Sequence, residues 1–137
     1  MVRPINRNIL SLGKPSEAAT PSDVYVGDDL LDTLKANANA CVGMAANMIG
    51  IHKRIIVFHN GLFAEVMFNP EIIAKSDAYE TEEGCLSLLG APRKTTRYQV
   101  IKVKFQDGSF LWKTKSYAGF TAQIIQHEID HCNGVRI

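Results

Sequence analysis

The sequence predicts an α+β fold, antiparallel strands packed around one histidine-bearing helix, and three observations carry that reading. Apolar residues recur at helical spacing over Leu30, Leu31, Leu34 and Ala38. Short β-branched and aromatic runs separated by turn residues fill the middle of the chain. A second helical stripe, Phe120, Ile124, His127 and His131, lies near its end. With 137 residues, the chain is expected to form one domain over 1–137, long enough to enclose a core without disulfide staples.

Residues 8–24 are rich in Ser, Pro, Ala and Thr and include Gly13, Pro15 and Pro21, which predicts an irregular arm over the surface. The first helix is expected over residues 28–39, with Asp28 and Asp29 at the N-terminal end where the helix dipole favours acidic side chains. Strands are expected at 54–58, 64–68 and 71–74, broken by Asn60-Gly61 and Asn69-Pro70. Ile101, Val103 and Phe105 alternate with Lys102 and Lys104, and Asp107-Gly108 separates them from Phe110 and Trp112, the pattern of a hairpin. The histidine helix should open at Ser116 or Thr121 and close at Asn133-Gly134, glycine being the usual residue just past a helix end.

Composition narrows the function. Hydrophobic residues make up 46% and charged residues 21%, with fifteen basic residues balanced by fourteen acidic ones, so no phosphate-binding footprint is present and no direct nucleic-acid binding is expected. Arg3 and Arg7 are not followed by an apolar run, so neither a signal peptide nor a membrane span is expected and the cytoplasm is the expected location. Cys41, Cys85 and Cys132 form no disulfide framework and read as thiols or metal ligands.

The strongest chemical signal is HExxH at His127, Glu128 and His131. With about 3.6 residues per turn, both imidazoles project from one helix face, where they can share a metal ion. Glu128 stands beside that face, placed to act on water rather than to ligate. The plainer alternative is a solvated pair of histidines. The apolar stripe argues against it, since burying an unpartnered imidazole nitrogen costs about 1 to 3 kcal/mol. A catalytic ion takes about three protein ligands and leaves one position open. Cys85 is the candidate third ligand, in a segment, residues 82–87, expected to be a turn in which Gly84 allows an unusual backbone. Cys132 points about 100 degrees away from the histidine face, and spacing alone leaves Cys41 open.

Three segments in order, residues 41–48 (CVGMAANM), 83–87 (EGCLS) and 126–131 (QHEIDH), resemble the three motifs of the peptide deformylases, and Pro92, Arg97, the hairpin and Gly119 fit as well. The resemblance covers most of the chain and is to the shorter members of the family. It implies the deformylase fold and a metal-dependent hydrolase that removes the N-formyl group from the initiator methionine of nascent polypeptides and releases formate. Carried over, it implies metal ligation by Cys85, His127 and His131, with Glu128 as general acid and base. The backbone N–H of Leu86 would stabilise the oxyanion. The implied ion is divalent and ferrous iron is favoured, while zinc, nickel or cobalt also suit a thiolate with two imidazoles. The implied partner is an N-formyl-methionyl peptide or nascent chain, at the ribosome.

Two positions depart from the family pattern Gly-x-Gly-x-Ala-Ala-x-Gln: Cys41 stands at the first glycine and Met48 at the glutamine. A thioether donates no hydrogen bond, and losing one oxyanion donor typically costs on the order of 100- to 1000-fold in turnover. Asn47 is adjacent but is expected to point elsewhere. The substrate pocket is expected to draw on Val42, Gly43, Met48, Gly84, Phe120 and Ile124, with Gly43 letting its backbone run close to an extended peptide. Two other readings compete. One is a deformylase-like protein with weak or no such activity, acting on another amide or as a metal-bearing binding module. The other, an HExxH peptidase, is disfavoured because such enzymes take a later His or Glu as third ligand and none follows His131.

Overall fold

The computed structural model describes residues 1–137, the side chain of Leu89 apart. Five strands, β1 (Gly43–Ala45), β2 (Ile55–His59), β3 (Ala64–Cys85), β4 (Leu88–Gln106) and β5 (Trp112–Ala118), form one antiparallel sheet in sequence order. Three α-helices accompany it, α1 (Ile9–Leu12), α2 (Val24–Ala36) and α3 (Gly119–Cys132). Because side chains alternate across a strand, β2 serves two cores at once. Ile56 and Phe58 join Met67, Ile101, Val103 and Phe105 against Ile125, Ile129 and Cys132 of α3. Ile55 and Val57 face the other way, with Met44, Met48 and Phe68, against Val26, Leu30 and Leu34 of α2. Each fully buried side chain of this size contributes about 1.5–3 kcal/mol, so α3 is clamped along its length. No helix among the described residues is long and apolar enough to cross a membrane.

Several boundaries differ from the sequence expectation, each for a local reason. The arm is partly helical: Asn8 caps α1 by accepting from the Leu10 and Ser11 N–H groups at 3.1 and 3.2 Å. A 3-10 turn at Pro21–Asp23, tied by the Thr20 N–H donating to Asp23 at 2.8 Å, starts α2 at Val24 rather than at 28. Asn37 ends it by donating its side-chain amide to the Thr33 carbonyl at 2.8 Å, which leaves Ala38 outside the helix. Asp29 therefore sits in the second turn instead of at the dipole end, and its carboxylate accepts from Arg3 Nε at 3.0 Å and from the Met1 ammonium at 2.9 Å.

Asn69-Pro70 does not break the sheet. It forms a bulge inside β3, with Asn69 at φ +52 and its side chain paired to the backbone of Ala19. The segment expected as a turn at 82–87 is strand through Cys85, and only Leu86 and Ser87 turn before β4 begins. In the hairpin, Phe110 belongs to the connection at φ +58, packed on Phe68 with ring centroids 4.9 Å apart, and β5 begins at Trp112. Ser116 lies within β5. The helix opens at Gly119, whose φ of +64 suits glycine and redirects the chain from strand to helix. Its far end is as expected: Asn133 caps it, and Gly134 at φ +76 donates to the His131 carbonyl at 3.0 Å.

Candidate active site

α3 presents His127 and His131 one turn apart, with ring centroids separated by 4.9 Å and their Nε2 atoms by 3.2 Å. β3 delivers Cys85 to the same point at its very end, Sγ lying 3.3 Å from Nε2 of His131. The three ligand atoms fall within 4.8 Å of one another. A tetrahedral ion with metal–nitrogen bonds near 2.0 Å and a metal–sulfur bond near 2.3 Å places its ligands roughly 3.3–3.6 Å apart, so this donor set fits a metal in type and spacing. The other thiols stand apart. Cys132 is buried in the core under α3, and Cys41 directs Sγ to the Asn37 carbonyl at 3.6 Å. Burial pushes the Cys41 thiol up to about 11, which keeps it protonated.

A buried polar network stands behind the cluster. Glu83 Oε1 lies 2.8 Å from Nδ1 of His127 and accepts from Arg97 Nη2 at 2.7 Å. Its Oε2 accepts from Arg97 Nε at 3.0 Å and from Gln123 Nε2 at 2.9 Å. Arg97 continues to Asp130 at 2.7 Å, tying β4 back to α3. Burial would raise the Glu83 carboxyl, yet the hydrogen bonds from His127, Arg97 and Gln123 outweigh it and hold the group at about 2. The sequence reading assigned no role to Glu83, Gln123 or Asp130. Glu83 was hidden by the expectation of a turn over 82–87; the structure makes this strand through Cys85, with a register irregularity between Glu83 and Cys85. Arg97 entered only as a residue that fits the family resemblance, with no role attached, because its partners Glu83 and Asp130 are distant in sequence.

The two imidazoles sit in opposite electrostatic surroundings. Burial opposes charge on His127, but hydrogen bonding to Cys85 and Glu83 and the nearby Glu128 push it up to about 10. Burial, with positive His127 and Arg97 close by, drives His131 down to about 3. Glu128 is almost fully buried, and that burial pushes its carboxyl up to about 7. A buried acid poised near neutrality can both take and return a proton.

A family model described as polypeptide deformylase matches residues 8–137. The chain belongs to the polypeptide deformylase family. It is 55% identical over 137 residues to a peptide deformylase of Clostridium beijerinckii, covering 100% of each chain. A peptide deformylase of Desulfitobacterium hafniense is 35% identical over 121 residues, 88% of this chain and 79% of the relative. Among solved structures, the peptide deformylase of Thermotoga maritima superposes with a TM-score of 0.88 at 28% identity, covering 98% of this chain and 94% of the other. A Met-Ala-Ser-bound class I type b peptide deformylase from Acinetobacter baumannii also gives 0.88 at 28% identity, covering 98% and 96%. The α+β deformylase fold is thereby established for this chain, and the deformylase family is metal-dependent.

The deformylase cavity of this chain holds about 560 Å³ and is bounded by Cys85, His127 and Glu128 on the polar side. All the residues expected to bind substrate line it, as does Leu86 at the turn after Cys85. Their surroundings differ from expectation in three places. Phe120 is 65% exposed at the rim and does not continue the core stripe, whereas Ile124 is buried in the wall. Gly84 is strand with open space where a side chain would stand, so it fills no strained turn. Gly43 is needed for the cavity wall itself: a methyl group there would lie 2.6 Å from Ile124 and 3.0 Å from Glu128. Val42 stays exposed at the mouth. Met48 is buried, its sulfur folded back to 3.5 Å from the Ala45 N–H. Asn47 points the other way, donating to the His131 carbonyl at 2.9 Å.

Proposed function

We propose that this peptide deformylase hydrolyses the N-formyl group of an N-terminal methionine, in the cytoplasm, on peptides or nascent chains at the ribosome. The observation that carries the reading is the convergence of Cys85, His127 and His131, with Cys85, His127 and buried Glu128 lining one apolar-walled cavity. A divalent ion held by those three residues, when bound, acts as a Lewis acid and lowers the pKa of water toward about 7. Ferrous iron is our assignment, and zinc, nickel or cobalt are compatible with the same thiolate and two imidazoles.

The protein's own groups supply the rest. Glu128 takes a proton from the attacking water and returns it to the departing amine as the C–N bond breaks, leaving formate and a free amino terminus. Its carboxyl, held near 7 by burial, is matched to both transfers. Glu83 orients His127 through Nδ1. The Leu86 N–H serves the oxyanion. Ile124 and Gly43 shape the slot for an unbranched side chain, and Val42 and Phe120 border the peptide's exit at the rim.

Protein loaded with ferrous iron under anaerobic conditions and assayed on formyl-Met-Ala-Ser tests this directly. Formate release is expected, falling on the order of 100- to 10,000-fold in Glu128→Ala. No release from either the native chain or Met48→Gln would overturn the assignment.

A further inference from the structure

We propose that Asn47 is a positioning residue for His131, fixing the imidazole in the tautomer that turns Nε2 toward Cys85 and His127. This rests on the metal-site reading above. The two ligand imidazoles are supported unequally. Nδ1 of His127 has Glu83 at 2.8 Å, while Nδ1 of His131 is buried with no protein partner among the described residues. A metal-bound imidazole that uses Nε2 carries a proton on Nδ1, and that proton ordinarily goes to a carboxylate, a carbonyl or a water.

The matching acceptor is on Asn47. This residue lies in the 3-10 turn Ala46–Ile49 after β1, 84 residues from His131 in sequence, and both are fully buried. Its Nδ2 donates to the His131 carbonyl at 2.9 Å, and its Oδ1 is also buried without a protein partner among the described residues. The amide cannot be turned over, because a carbonyl oxygen only accepts and Oδ1 would then face it. Oδ1 is therefore left one carbon away from the nitrogen gripping His131, an unpaired acceptor beside the residue that holds the unpaired donor. Two such orphans cost about 1–3 kcal/mol each if they stay unpaired. A single water between them would satisfy both, accepting from Nδ1–H and donating to Oδ1. Asn47 would thus hold His131 twice, at the backbone directly and at the ring through that water. The ring of His127 is held by an anion and that of His131 by a neutral amide.

Zinc-loaded, 15N-labelled protein tests the inference by imidazole NMR together with zinc release to a chelator. In the wild type, His131 Nδ1 is expected to carry a proton protected from solvent exchange. In Asn47→Leu, similar in volume but without either hydrogen bond, that protection is lost and zinc leaves about 10- to 100-fold faster. A merely structural role would lower the melting temperature of the metal-free protein and leave the zinc release rate unchanged, which would overturn the proposal. So would an unprotonated His131 Nδ1 in the wild type, a result that needs no variant to fold. Wild-type protein that retains no equivalent of zinc would overturn the metal site and this inference together. Retention with no effect of Asn47→Leu would overturn the inference alone.

Discussion

Two walls of one cavity are built on different principles. On one side, α3 and the end of β3 surround the three candidate ligands with a polar network in which Glu83 accepts from Arg97, Gln123 and His127, while Glu128 Oε1 and His131 Nδ1 are buried without a protein partner among the described residues. On the other side, β1 and the turn after it, residues 43–48, offer almost no side-chain polarity to the cavity. Met48 folds its sulfur back on its own turn, Gly43 is bare so that Ile124 and Glu128 fit, and Asn47 faces away. The first wall fixes chemistry and the second fixes shape. Met48 stands where the deformylase resemblance implies a glutamine, so a donor expected in the second wall is absent from that position.

Restoring that donor has the largest expected effect. Met48→Gln should raise kcat for formyl-Met-Ala-Ser by on the order of 100- to 1000-fold with KM little changed, because an oxyanion donor acts in the transition state. An unchanged kcat would mean that another group already supplies the contact. Disturbing the chemical wall comes next. Glu83→Gln should weaken zinc affinity about 10- to 100-fold by loosening His127, measured by competition with a chelator. Equal affinity would show that the network serves stability alone.

Gly43→Ala sharpens the distinction from the other side. Its methyl group would meet Ile124 at 2.6 Å, so a loss of about 1–3 kcal/mol in chemical denaturation is expected, with zinc stoichiometry unchanged. A loss of zinc instead would show that the two walls are not separable. The smallest effect concerns the scaffold behind the shape wall, where Asp29 anchors α2 to the N-terminal arm. The Met1 ammonium and, against burial, Arg3 hold its carboxyl below the ordinary value of 3.8. A depressed carboxyl contributes stability that is full above 3.8 and fades as pH falls through the lower folded value. Asp29→Asn should therefore lower the melting temperature at pH 7 and leave it nearly unchanged near pH 2. The same loss at both pH values would remove the ion pair as its cause.

Legibility in the sequence followed how local each feature is. The i, i+4 histidines and the glycine stop at Gly134 depend on neighbours within one turn, and both were readable before any coordinates. The segment around Gly84 singled out Cys85 as the candidate third ligand, with only Cys41 left open on spacing, and the deformylase motifs then implied the same residue. What escaped depends on partners far along the chain. Most of β3 between 71 and 82 is exposed or half-buried, so the alternation that announces a strand is missing there and Asn69-Pro70 looked like a break. Asp29 looked like a dipole residue because Arg3 is invisible as its partner until the arm folds over. Arg97 and Asp130 meet across 33 residues, and no periodicity signals such a pair.

X-ray absorption on zinc-loaded protein tests the central claim most directly, that one thiolate and two imidazoles grip a single ion. The expected first shell is one sulfur near 2.3 Å with nitrogen or oxygen near 2.0–2.1 Å filling the remaining positions, and Cys85→Ala should erase the sulfur. A shell of nitrogen and oxygen alone in the native protein, or sulfur that persists in Cys85→Ala, would contradict it.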